Sequence, residues 1–94
     1  MRLSISPLAA QDIEEIGDYI AQDNPVRAVS FMEELYQQCC QISEAPQIYR
    51  QRRELGESIR SCTYGKYLIL FSSSRNQTRI QRVLYGSRDI TLLL

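Results

Sequence analysis

Eight arginines, Arg50, Arg52, Arg53, Arg60, Arg75, Arg79, Arg82 and Arg88, with the single lysine Lys66, supply all the positive charge after residue 49. A guanidinium is a planar fork that grips carboxylates and phosphates through paired hydrogen bonds, which an ammonium cannot copy. Any one of these arginines is explained as a solvated sheet residue in a surface ion pair. As a set they read as a binding surface for something negative, nucleic acid or an acidic peptide. Residues 1–49 carry two cations against eight carboxylates, and residues 50–94 carry nine against three, so the neutral total hides an acidic half and a basic half.

Acid–base and metal chemistry have fewer candidates. The chain has no histidine, the commonest metal ligand and the only side chain with an unperturbed pKa near neutrality. Zinc sites, Ser-His-Asp triads and Cys-His dyads are excluded on that ground, and no metal or cofactor is expected. The pairs Asp12/Glu15 and Glu14/Asp18 have helical spacing, which a solvated helix face explains better than proton transfer does. Cys39, Cys40 and Cys62 are an odd set whose adjacent members cannot readily bridge, so buried free thiols are expected. Tyr19, Tyr36, Tyr49, Tyr64, Tyr67 and Tyr85 are expected mostly to pack.

The elements that must position these groups fit one domain, residues 1–94, with a single core. No apolar run is long enough to span a membrane, and Met1-Arg2-Leu3-Ser4 leads straight into structured sequence, so a cytoplasmic protein is expected. Leu3 and Ile5 alternate with polar residues in a short opening strand. Ser6-Pro7 and Asn24-Pro25 each place a capping oxygen before a proline at the first helical position. The stripes Ala9, Ile13, Ile16, Ile20 and Ala28, Met32, Leu35, Cys39, Ile42 then define two helices, joined tightly enough to form an antiparallel hairpin. Gly17 inside the first helix reads as a close packing contact.

Residues 59–64, 67–71 and 78–85 are rich in β-branched and aromatic side chains and read as three strands, with Gly65-Lys66 as a two-residue turn. The expected fold class is α+β: an N-terminal strand and an antiparallel helical hairpin packed on a mostly antiparallel sheet of about four strands. Within the last strand neither face is cleanly apolar. A bulge would reconcile the pattern by turning Arg82 and Tyr85 outward together. Gly86-Ser87-Arg88-Asp89 reads as a turn, and Ile90 to Leu94 as either a hydrophobic plug or a partner-binding patch.

Four segments carry a family resemblance: S-x-x-A-x-x-D-I-x-x-I from Ser6, N-P-x-x-A from Asn24, I-R-S-C-x-Y-G-K-Y-L-I-L-F from Ile59, and R-V-L-Y-G-S-R-D-I from Arg82. Together they resemble the RelE/ParE family of bacterial toxins, closest to the ParE branch. The resemblance implies a type II toxin that inhibits DNA gyrase, arrests growth and is neutralised by a cognate antitoxin. Target- or antitoxin-binding residues would then be Arg60, Lys66, Arg79, Arg82, Tyr85, Arg88 and Asp89. The RelE branch instead cleaves mRNA on the ribosome; on that alternative Arg60, Arg82 and Tyr85 would be catalytic, with Arg79 and Lys66 holding phosphates. Many relatives carry histidine where this chain has Tyr85, an ordinary phenol titrating near pH 10. An inactive homologue that only binds antitoxin is the third possibility. Arg82→Ala or Arg88→Ala is expected to lower toxicity more than stability.

Overall fold

In a computed structural model, which describes residues 2–86, the order of elements is β1 (Arg2–Ile5), α1 (Pro7–Ala21), α2 (Pro25–Glu44), a 3-10 turn (Pro46–Ile48), β2 (Arg50–Gln51), β3 (Ile59–Tyr64), β4 (Tyr67–Ser73) and β5 (Gln77–Tyr85). Arg88, Asp89 and the tail Ile90 to Leu94 lie outside the described residues. Both helix starts form as their capping residues require. Ser6 Oγ accepts the Ala9 N–H at 3.0 Å, and Asn24 Oδ1 accepts the Arg27 N–H at 3.0 Å. Ser6 Oγ also donates to the Gln81 carbonyl at 2.9 Å, so one hydroxyl caps α1 and ties it to β5.

The sheet has five strands rather than about four, in the order β1-β5-β4-β3-β2. β1 runs parallel to β5 and all other neighbours are antiparallel. The additional strand, β2, is two residues long, too short for any alternation to reveal it. The continuously apolar β4 is central, as burial on both faces demands.

The helical hairpin covers one face. Ala9, Ile13 and Ile16 of α1 and Phe31, Leu35, Cys39 and Ile42 of α2 pack on Cys62, Ile69, Phe71, Ile80 and Val83. A Cβ at Gly17 would lie 2.3 Å from the Met32 sulfur, so this glycine sets how closely the helices approach. Leu68, Leu70 and Leu84 face the other way and are covered in part by Leu55 from the β2–β3 connection and Ile59 at the start of β3.

Three expectations are corrected. Asp12 is buried, not solvated. Cys40 is exposed, while Cys39 and Cys62 are buried. Tyr19, Tyr36 and Tyr85 are exposed at 70%, 38% and 41%, so half of the tyrosines present their rings to solvent rather than the core. Burial pushes the Cys39 thiol up to about 12, and burial also raises Cys62, opposed in part by its contact with Gln38. Because the thiolate is the reactive form, a disulfide reagent at neutral pH should modify Cys40 rapidly. Cys39 and Cys62 should react only at the rate of unfolding, a difference that mass mapping of the labelled peptides will read.

Candidate functional site

The chemistry of the arginines is decided by one irregularity in β5. Leu70 pairs with Arg82 but Phe71 pairs with Ile80, leaving Gln81 as an extra residue. This bulge shifts the alternation by one. Without it Arg82 would follow Ile80 into the core; with it Arg82 stands on the side of Leu70, away from the helices, and Val83 takes the core position. The bulge foreseen in the sequence is present, but it does not turn Arg82 and Tyr85 out together. Tyr85 pairs with Tyr67 on the helix-facing side, their rings 5.8 Å apart.

β1 accompanies β5 only as far as Ile80, so the following stretch of β5 has a free edge. Asp12 of α1 meets it. Its Oδ2 accepts from Arg82 Nε at 2.8 Å and from the Val83 N–H at 2.9 Å, and its Oδ1 accepts from Arg82 Nη2 at 3.0 Å. A carboxylate thus satisfies a backbone donor that no strand covers and pairs bidentately with a guanidinium. Asp12 raises the already high pKa of Arg82 further, so the guanidinium stays charged at any pH at which the protein folds. The sequence signal was available, since Asp12 sits one residue before the core residue Ile13, but helical periodicity alone assigned it to water.

Arg82 also lines an open groove on the outer face of the sheet, between the start of α1 and the β2–β3 connection. Leu8, Leu55, Ile59 and Leu70 give it an apolar floor, Arg79, Gln81 and Arg82 its polar rim, and it encloses about 480 Å³. Among the described residues, none that lines it carries a carboxylate. Arg79 Nη1 donates to Ser4 Oγ at 3.0 Å and Gln81 Nε2 to Ser72 Oγ at 3.1 Å, which hold the rim in place.

The remaining cations do not join this surface. Arg60 pairs with Phe71 on the helix-facing side, where its Nη1 donates to the Tyr49 carbonyl at 2.7 Å and anchors the 3-10 turn. Arg52 is paired with Glu54 at 2.8 Å. The Lys66 ammonium, at the tip of the β3–β4 hairpin, pairs with no described residue, while its carbonyl accepts the Gly86 N–H at 2.9 Å, and the side chain lines a shallow depression with Tyr19, Tyr67 and Tyr85. The expectation of one gathered basic patch gives way to an arginine pair at the groove, a lysine among tyrosines at the sheet's end, Arg60 and Arg52 engaged within the fold, and Arg50, Arg53 and Arg75 exposed elsewhere.

A further cluster went unread in the sequence. Arg27 lies 5.0 Å from the centre of the Phe31 ring and pairs with Glu34, which also accepts the Tyr64 hydroxyl at 2.7 Å. Arg27 first, and Tyr64 second, hold the Glu34 carboxyl below the usual carboxylate range. A depressed folded-state pKa stabilises the fold above the unfolded value of about 4.3 and loses that contribution as pH falls through the folded value. Glu34→Gln should therefore lower the urea midpoint modestly at pH 7, and the deficit should vanish at the acid end of a pH series. The effect is small because the pair is open to solvent.

Among the described residues no helix is long and apolar enough to cross a membrane, and no group of three or more His, Cys, Asp or Glu is placed to hold a metal. A helical hairpin laid over one face of a mixed sheet, with the opening strand parallel to the last, is the RelE/ParE toxin architecture. Within that class the chain belongs to the ParE toxin family of the type II toxin–antitoxin system parDE, whose family model matches residues 3–90. Among solved structures, the chromosomal ParDE TA system from P. aeruginosa has the same fold, with a TM-score of 0.79 at 18% sequence identity over 90% of this chain and 95% of that one. No curated protein matches the sequence.

Proposed function

We propose that this ParE-family chain is a cytoplasmic toxin that arrests growth by binding and inhibiting DNA gyrase, without making or breaking a bond itself, and that a cognate antitoxin neutralises it. The observation that carries the non-catalytic reading is the dispersal of Arg60, Arg82 and Tyr85. Arg60 and Tyr85 lie on strands flanking β4, opposite Phe71 and Tyr67 respectively. At ordinary strand dimensions that separates their backbones by roughly 16 Å. Arg82 stands on the other face. Three groups so placed do not converge on one phosphate, as acid–base cleavage of RNA would require.

Two surfaces suit docking. The outer groove offers apolar area beside the Arg79 and Arg82 guanidiniums and fits the antitoxin, a partner expected from the family and in keeping with the ParDE system of the structural relative. The sheet's end, with Tyr19, Tyr85 and Lys66 exposed together, fits the target, since solvent-facing tyrosines are the residue type that dominates contact energies. Arg88 and Asp89, outside the described residues, are proposed as further target- or antitoxin-binding residues.

The test is to incubate the purified protein with gyrase and supercoiled plasmid, and separately with translating ribosomes. Accumulated DNA cleavage complexes or blocked supercoiling with intact mRNA is the expected result. Cuts in ribosome-bound mRNA would establish the RelE-like alternative. Silence in both, with antitoxin binding retained, would mark a homologue that has kept only its partner.

A further inference from the structure

Resting on the reading that a partner docks in the outer groove, we infer that Asp12 is a positioning residue: it holds the Arg82 guanidinium by one edge so that the other edge forms a pre-set fork for a carboxylate of the docked segment. A guanidinium has five N–H donors. Asp12 takes one from Nε and one from Nη2. Two on Nη1 and one on Nη2 remain, none of which bonds to a described residue, and Arg82 is part of the groove wall.

The Asp12 side chain is 10% exposed and fixed by a third bond from the Val83 N–H, so it does not follow Arg82 if the arginine swings away. Arg79 stands on the same rim, held by Ser4. A segment bearing one carboxylate flanked by aliphatic side chains fits this arrangement: the acid on the Arg82 fork, the aliphatic groups on Leu8, Leu55, Ile59 and Leu70. Pre-ordering a long, flexible side chain removes a cost that binding would otherwise carry. Among the described residues the groove lining holds two guanidiniums, Arg79 and Arg82, and no carboxylate, which makes it complementary in charge to an acidic segment.

The experiment uses the whole chain and two blocked peptides, acetyl-Leu-Ala-Glu-Leu-Leu-amide and its glutamine counterpart, titrated calorimetrically. The native protein is expected to prefer the glutamate peptide about tenfold. Asp12→Asn keeps an acceptor for the Val83 N–H but releases the guanidinium, and the preference should fall to about twofold while the glutamine peptide binds as before. The sign is diagnostic. A carboxylate acting only as a nearby negative charge would, once removed, make the groove more attractive to glutamate, so a preference that rises in Asp12→Asn overturns the positioning role.

Arg82→Lys, which keeps the charge but has no second edge, should show the same fall and stands in if Asp12→Asn does not fold. Equal binding of both peptides by the native protein overturns the fork while leaving the groove as a docking site. No binding of either peptide removes the groove reading itself, and the fork with it.

Discussion

Replacing Asp12 with alanine should cost roughly 3 kcal/mol or more of folding stability, the largest effect expected of any single polar substitution in this chain. The carboxylate is buried and accepts three hydrogen bonds. Its loss strands the Val83 N–H at a strand edge and leaves a partly covered guanidinium without its counter-ion, and breaking one side of such a pair typically costs about 3–5 kcal/mol. Arg82 is partly open to water, at 23% side-chain exposure, which favours the lower end. Against the roughly 5–15 kcal/mol that holds a domain of this kind together, this is a major fraction.

Arg82→Ala should be nearly as damaging, because it strands the carboxylate instead. The sequence-based expectation that this substitution lowers toxicity more than stability must therefore allow for a large stability cost: Arg82→Ala does not separate binding from folding, and Arg82→Lys is the better probe. Urea denaturation of Asp12→Ala, Arg82→Ala and the double variant will measure this. The double variant should be little worse than either single one, since both remove the same contacts. Simple additivity would show that the two residues are not coupled.

The second large effect concerns function rather than folding. Truncating Tyr85 to alanine together with Lys66→Ala should weaken gyrase inhibition by about tenfold or more, while stability changes by less than about 1 kcal/mol. Tyr85 is 41% exposed at the end of β5 and touches Tyr67 alone among aromatic partners of the described residues. Lys66 is exposed on a hairpin tip. Neither carries the core, yet an exposed tyrosine at an interface contributes on the order of 1–2 kcal/mol, and a nearby ammonium adds attraction for an acidic or nucleic-acid target. Unchanged inhibition by a folded double variant would move the target-binding surface elsewhere.

Much of the architecture was legible because it depends on local chemistry. Ser6-Pro7 and Asn24-Pro25 announce helix starts by supplying an oxygen for an unpaired N–H, and they do so in the fold. Gly65 adopts a φ of +59° at the turn between Tyr64 and Tyr67, a conformation that its lack of a Cβ permits. The apolar run in β4 marked the strand buried on both faces.

What escaped depends on contacts distant in sequence. Asp12 and Arg82 are seventy positions apart, and nothing near Asp12 shows that β1 will end at Ile5, opposite Ile80, and leave the rest of the β5 edge for α1 to satisfy. The bulge was inferable from a broken alternation, but not the side to which it sends Tyr85, since that depends on the register with β4. The separation of Arg60 from Arg79 follows from strand parity: Arg60 pairs with Phe71 and Arg79 with Ser72, and neighbours on β4 face opposite ways. Counting charges by chain half could not resolve that.

The most direct measurement is a titration of gyrase supercoiling activity with this protein at fixed enzyme and DNA. A binding inhibitor should act stoichiometrically, with inhibition growing in proportion to added protein, saturating near equivalence and reversing when antitoxin is supplied. Inactivation of many target molecules by each toxin molecule, or RNA cleavage continuing past one equivalent on ribosomes, would contradict it and show that this chain performs chemistry.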